Sequence, residues 1–315
     1  MTGLFDHVVG QERAVALLKA SIDQGRLAPA YLFAGPDGVG RRLAALRFLE
    51  GVLAGPAGDG ALRRRLQEGN HPDLLWVEPT YQEKGQLVPA SKAAELGLAR
   101  RAAAQLRLEQ IREVSRFLAR RPVQARGCLV VLEGVEAMAE GAANALLKTL
   151  EEPGDGLLIL IAAAPDRLIT TIRSRCQTVP FTALNPAQLA QVLERCGEPS
   201  PSQDPPELLE LAAGSPGALL HCRQAWAALP EGLAERLLGL AASVDPLEAL
   251  GLARDLAEAL DAEQQLWLLG WWQLALWRRQ APVARLQRLE RLRSQLKAYV
   301  QPRLAWEVAL LELAS

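Results

Sequence analysis

Up to residue 182, short apolar runs alternate with segments of helical period. The runs are Ala30-Tyr-Leu-Phe-Ala-Gly35, Asp73-Leu-Leu-Trp-Val-Glu-Pro79, Cys128-Leu-Val-Val-Leu-Glu-Gly134, Leu157-Leu-Ile-Leu-Ile-Ala-Ala-Ala164 and Gln177-Thr-Val-Pro-Phe181. Each is continuous instead of alternating with polar residues, as in strands buried on both faces of a sheet. Helix-period segments fall between them at 11–24, 41–53, 107–120 and 139–151. Strands alternating with helices predict an α/β fold with a parallel sheet and right-handed crossovers. In the last helix Ala143, Leu146, Leu147 and Leu150 recur at helical spacing, and Pro153 with Gly154 closes the run. The stretch 54–60 reads as a loop, and 80–104, polar and Ala-rich without a clean period, as a mobile insertion or a short helix.

After residue 182 strand-like runs vanish and helical periodicity takes over. Residues 197–206, rich in Pro and Ser, form a loop by composition, and Gly214-Ser-Pro-Gly217 breaks the next helical region. A second shift near Pro230 opens a Leu- and Trp-rich tail. The chain therefore divides into an α/β domain (1–182), a small helical domain (183–228) and an all-helical domain (229–315). Six of the seven tryptophans lie at or after Trp226, with Trp267 and Trp271 on one helical face. Their Leu and Ala neighbours favour a core or subunit interface over base stacking on single-stranded DNA. The basic run from Arg285 to Arg303 is interleaved with polar residues and reads as a solvated face.

A length of 315 residues suits two or three domains. The formal net charge of −1 means that any nucleic-acid contact is local. Cys128, Cys176, Cys196 and Cys222 are scattered without a CxxC pair, so neither a disulfide framework nor a zinc site is expected. The N-terminus has acids at Asp6 and Glu12 and no apolar core of a signal peptide. The densest apolar stretch, Leu266 to Trp277, falls short of the roughly 20 residues a membrane span needs. These features predict a soluble cytoplasmic protein with reduced thiols. No Ser-His-Asp or Cys-His arrangement suggests nucleophilic catalysis.

The strongest chemical signal is Gly35-Pro-Asp-Gly38-Val-Gly40-Arg41-Arg42, which follows a predicted strand and opens a predicted helix. That is the setting of a phosphate loop, GxxxxGK[ST], and it separates the segment from an ordinary Gly-rich turn. Glycines let backbone N–H groups curl around phosphate, and the helix N-terminus adds its dipole. The motif then needs Lys to reach the β- and γ-phosphates and Ser or Thr to hold Mg²⁺. Arg41 keeps the charge in a bulkier planar head. Arg42 has no lone pair to offer a metal and repels one. A second site repeats the loss. After the strand at 129–133, Glu133 stands where a Mg²⁺-supporting acid belongs, Gly134 where the acid that polarises water belongs, and Glu136 is out of register by two residues. Nucleotide binding is expected to be weak or absent, and metal-dependent hydrolysis is not expected.

Three strings carry a resemblance: Gly10-Gln11 leading to Ala30-Tyr-Leu-Phe-Ala-Gly-Pro36, then Ala143-Asn-Ala-Leu-Leu-Lys-Thr-Leu-Glu-Glu-Pro153, then Ile172-Arg-Ser174-Arg175-Cys176. Together they resemble bacterial clamp loaders of the AAA+ class, and the broken loop points to the delta-prime type of subunit. The resemblance is specific over 1–182 and covers the rest only by helical architecture. It implies a P-loop domain, a small helical lid (183–228) and a helical collar (229–315). It implies that Arg175, within Ser174-Arg175-Cys176, is an arginine finger reaching a neighbouring subunit's ATP site, with Cys176 in the finger's local packing. The implied partners are gamma/tau and delta subunits, with the sliding clamp and primed DNA met through the complex and no membrane. The chain itself would catalyse nothing, DNA synthesis belonging to other chains. The alternatives are an ATP-hydrolysing gamma/tau-type subunit and a scaffold with a relic nucleotide fold. Hydrolysing relatives carry a sensor Thr or Asn where this chain has Ala162-Ala-Ala164, and an Arg where it has Gly214-Ser-Pro-Gly217. Many relatives also carry a four-cysteine zinc module. Residues 49–72 contain no cysteine although His71-Pro-Asp73 matches, so no zinc is expected and 54–69 stands as a shortened replacement.

Overall fold

A computed structural model describes residues 3–83, 85–93, 96, 103–152, 154–240, 245–298 and 300–314; Pro153, expected to close a helix, lies outside them. The chain forms two compact units. One is built from the chain before residue 200 together with 214–216, the other from 200–213 and the chain from 217 onward.

The first unit is α/β. Its strands are β1 (Ala30–Ala34), β2 (Leu74–Val77), β3 (Thr80–Glu83), β4 (Gln86–Pro89), β5 (Leu129–Glu133), β6 (Leu157–Ala162) and β7 (Gln177–Pro180). Five of them make one sheet in the order β2-β5-β6-β1-β7, with every pairing parallel. Its helices are α1 (Glu12–Asp23), α2 (Arg41–Ala54), α3 (Gly60–Gln67), α4 (Leu108–Leu118), α5 (Glu140–Glu151), α6 (Thr170–Arg173) and α7 (Pro186–Arg195). Successive side chains of a strand point to opposite faces. Ala30, Leu32 and Ala34 of β1 therefore join a core with Ile111, Val114, Leu146 and Ile172 from α4, α5 and α6. Tyr31 and Phe33 go to the other face, where Phe48 of α2 meets them at centroid distances of 4.9 and 6.4 Å. Both faces are covered, which is why the runs read as continuously apolar.

Two segments differ from expectation. Within the segment 80–104, expected to be a mobile insertion or a short helix, residues 80–83 and 86–89 pair as an antiparallel hairpin and Ala90–Lys92 form a short 3-10 helix; 84, 94–95 and 97–102 lie outside the described residues. The hairpin's outer strand is polar or half-exposed and stands apart from the main sheet, so no core face imprints a period on it. Residues 60–67 form α3, within the segment expected to be a mere replacement loop. Only Leu66 of that helix is buried, so apolar spacing could not announce it. Charge holds it instead. The fully buried Glu50 accepts from Arg47 Nη1 at 3.0 Å, from Arg63 Nε and Nη2 at 2.9 Å each, and from the Asp59 amide at 3.0 Å. Burial would raise this carboxyl, but the two arginines and the amide outweigh it and hold it below its ordinary value.

The second unit is helical among its described residues: α8 (Pro206–Ala212), α9 (Pro216–Ala227, from residue 217), α10 (Leu233–Leu240), α11 (Pro246–Ala259), α12 (Ala262–Arg278), α13 (Val283–Lys297) and α14 (Pro302–Ala314). Asp261 caps α12 by accepting from the Gln264 amide at 2.8 Å. The tryptophans act as core: Trp271 and Trp272 are buried, Trp272 stacks on Trp306 at 6.5 Å, and Trp306 Nε1 donates to buried Gln265 at 3.0 Å. Trp277 is exposed. Among the described residues no helix is long and apolar enough to cross a membrane.

Asp73 fixes the approach to β5. Its buried carboxylate accepts from the amides of Val123, Gln124 and Ala125 at 2.7, 2.6 and 2.7 Å. Burial opposes its ionisation, but those three donors hold the carboxyl below its ordinary value. A depressed folded value contributes stability that is present above the unfolded value and lost as pH falls through the folded one. Asp73→Asn is expected to lower stability by about 1.5–3 kcal/mol at neutral pH. In urea unfolding the gap to wild type should narrow below about pH 4.

Candidate functional site

The loop after β1 keeps the backbone shape of a phosphate cradle. Gly35 has φ 153°, and a Cβ there would lie 2.2 Å from the Phe181 carbonyl oxygen, so only glycine lets β7 come this close. The same junction is tied by Phe181 N to Ala34 O at 2.7 Å and Gly35 N to Ala162 O at 3.1 Å. Gly38 and Gly40 are left-handed, at φ 72° and 100°. Gly40 precedes α2 with no side-chain cap, leaving the first amides of the helix turned to the loop. The parallel sheet brings the C-terminal ends of β1, β5 and β6 to one edge. There a cavity of about 520 Å³ is lined by Gly38, Gly40, Arg41, Arg42, Glu133 and Ala163.

The side chains in this cradle bind one another. Arg41 is buried and ion-paired with Asp37, while its Nη1 has no hydrogen-bond partner. Arg42 is exposed, with Nη1 3.1 Å from Glu133 Oε1 and its guanidinium 4.8 Å over the Trp76 ring. Trp76 Nε1 donates to the same Glu133 oxygen at 2.8 Å. Burial raises the Glu133 carboxyl, partly offset by Arg42 and Trp76. The oxygen that would support Mg²⁺ is thus already engaged by a cation and an indole.

The neighbouring positions are also taken. Gly134 is left-handed at φ 60°, and a Cβ would meet Pro79 Cγ at 2.8 Å, so an acid does not fit there without a shift. Glu136 sits on the 3-10 turn after β5 and accepts from the Ala163 amide at 2.8 Å, ending β6 instead of facing a water. Gly214 approaches the Leu184 carbonyl so closely that a Cβ would stand 2.4 Å from it. The buried Ser215 donates to the Asp37 carbonyl at 2.6 Å, tying this segment to the loop. Trp76 had no signal in the sequence, because it meets Arg42 and Glu133 only through the fold; Asp37 and Ser215 lie within strings the sequence singles out, but their bonds to Arg41 and to the loop were not foreseen.

None of Ser174, Arg175 and Cys176 lines this cavity. They follow α6 on a turn anchored by the buried Ile172 and Cys176. Burial pushes the Cys176 thiol up to about 12, which makes it packing and not a nucleophile. Ser174 Oγ donates to the Thr171 carbonyl at 3.2 Å. Arg175 keeps 37% of its side chain exposed; Nη2 meets Glu151 Oε1 at 2.9 Å and Nη1 donates to the Thr171 carbonyl at 3.1 Å. Among the described residues no cluster of His, Cys, Asp and Glu could hold a metal ion.

Residues 10–185 match the family described as "DNA polymerase III, delta subunit", and residues 187–313 match "Cyanobacterial DNA polymerase III delta prime, C-terminal domain". The chain belongs to the DNA polymerase III delta-prime family. It is similar to DNA polymerase III subunit delta' of Pseudomonas aeruginosa, 35% identical over 196 residues, which is 60% of this chain and 54% of that protein. Similarity to subunit delta' of Bacillus subtilis is 36% over 182 residues, covering 56% and 49%. The chain thus spans about half the length of these curated relatives. The fold also resembles a gamma-subunit-related DNA polymerase III protein of Thermotoga maritima, with TM-score 0.53 at 17% identity over 96% of this chain and 98% of that one. The fold class, a parallel-sheet α/β unit followed in the chain by helices, is the one that the sequence suggested.

In this delta-prime family member the cradle is intact and its chemistry is occupied. The isolated chain is expected to release no phosphate from ATP with Mg²⁺. The paired change Arg41→Lys with Arg42→Thr should not restore turnover, because Gly134 supplies no base. Phosphate-release assays check both, and Mg²⁺-dependent turnover by either protein would contradict this account.

Proposed function

We propose that this chain is a non-hydrolysing delta-prime subunit of a DNA polymerase III clamp loader. In this reading it completes a neighbour's ATP site with Arg175 while a sliding clamp is loaded on primed DNA. It works in the cytoplasm beside gamma/tau and delta subunits, without a membrane and without zinc. Residues 183–228 act as the lid, and 229–315 as the collar that joins subunits. The nucleotide cradle, Gly35 to Arg42 with Glu133, holds nucleotide weakly or not at all.

One observation of place supports the reading. Arg42 lines this chain's own cradle, against Glu133 and Trp76, whereas Arg175 is exposed on a turn that does not line it, held by Glu151 and the Thr171 carbonyl. A guanidinium is always charged and offers donors in a fixed fork. Those donors suit the charge that spreads over the γ-phosphate oxygens during transfer, where a finger contributes about a thousandfold or more. The backing of buried Ile172 and Cys176 keeps the turn rigid while its tip reaches outward.

The test is ATP turnover by a complex reconstituted from this chain, its gamma/tau-type and delta partners, the clamp and primed DNA. Arg175→Ala should cut turnover at the served site about a thousandfold. Arg175→Lys should recover little of it, because a point charge does not reproduce the fork. Size-exclusion chromatography checks that the complex still assembles. Unchanged turnover by an assembled Arg175→Ala complex leaves at most a scaffold.

A further inference from the structure

Resting on that reading, we propose that Glu151 is the positioning residue of the finger, fixing the orientation in which the Arg175 guanidinium is presented. Glu151 is the last residue of α5, and Arg175 lies two residues past α6, which packs against α5. The two meet through Glu151 Oε1 and Arg175 Nη2 at 2.9 Å, while Nη1 donates to the Thr171 carbonyl at 3.1 Å. Contacts at both Nη atoms fix the position of the planar head and the direction of its plane. The guanidinium's remaining donors stay available for phosphate oxygens.

The arrangement is selective. Arg173, on the same turn, is paired with Asp166 at 3.2 Å and does not compete for Glu151. Glu151 and Arg175 are 52% and 37% exposed, and a pair that open to water contributes little to stability. Its effect is on freedom. An unrestrained arginine explores many rotamers, and a finger must give up that freedom in the transition state. Glu151 removes part of it beforehand. The γ-phosphate carries more negative charge than one carboxylate, so Nη2 can pass to phosphate while Thr171 keeps hold of Nη1. Glu151 belongs to the string 143–153 and Arg175 to the string 172–176, so the fold joins in one contact two of the three strings that carry the family resemblance.

The experiment compares ATP turnover of the reconstituted complex carrying wild type, Glu151→Ala, Glu151→Gln, Arg175→Ala and the double variant Glu151→Ala with Arg175→Ala. Glu151→Ala is expected to lower kcat about threefold to tenfold with KM for ATP near wild type. Its melting temperature and assembly should match wild type. Glu151→Gln keeps an acceptor oxygen and should recover most of the loss. In the Arg175→Ala background, Glu151→Ala should add nothing. Turnover by Glu151→Ala equal to or faster than wild type overturns the proposal, as does the same fractional loss in both backgrounds. If Arg175→Ala alone changes nothing, the finger reading itself fails. If Arg175→Ala is severe and Glu151→Ala is silent, only the role of Glu151 fails.

Discussion

The parallel pairing of β1 with β6 on one side and β7 on the other sets the geometry at the nucleotide edge. It aligns the strands so that Gly35, Glu133 and Ala163 arrive at one place, and it brings the Phe181 carbonyl where a side chain on Gly35 would stand. Open α/β sheets put their sites outside the carboxyl ends of the strands for this reason. The cradle is a property of backbone and glycine, so its shape does not depend on the side chains at 41 and 42.

What replaced the chemistry is a set of internal contacts. Glu133 is shared by Arg42 and Trp76, Glu136 ends β6 through the Ala163 amide, and Ser215 binds the Asp37 carbonyl. Glu133, Glu136 and Ser215 each have a structural partner, while Arg41 Nη1 and Glu136 Oε2 have no hydrogen-bond partner among the described residues. A half-buried carboxylate beside a guanidinium is a poor place to bring a second cation, since the metal must displace a charge already matched. Arg175 differs in place: it is exposed on the turn after α6, outside the cradle's lining, with Glu151 and the Thr171 carbonyl as its partners.

Much of this was legible in the chain. The strands at 30–34, 129–133 and 157–162 announce themselves because burial on both faces leaves almost no polar positions, and the glycines of 35–40 mark the loop between β1 and α2. The hairpin at 80–89 did not, because it lacks a buried face, nor did α3, whose anchor is the Glu50 ion cluster and not an apolar stripe. Glu136, two residues out of the expected register, sits on the 3-10 turn after β5, and its bond to the Ala163 amide appears only in the fold. Trp76 on Arg42 and Glu151 on Arg175 join residues 34 and 24 positions apart in the chain, and only the packing of β2 beside β5 and of α5 beside α6 puts them in contact.

The central claim is that one subunit lacks its own ATP chemistry and completes another's. Cryo-electron microscopy of the assembled complex trapped with ADP and aluminium fluoride reads both halves at once. The account predicts Arg175 nitrogens about 3 Å from the fluoride of the neighbour's nucleotide, and this chain's own loop without a metal-bound nucleotide, Arg42 still on Glu133. A Mg²⁺-nucleotide seated between Arg41, Arg42 and Glu133, or Arg175 turned away from the neighbour's analogue, would contradict it.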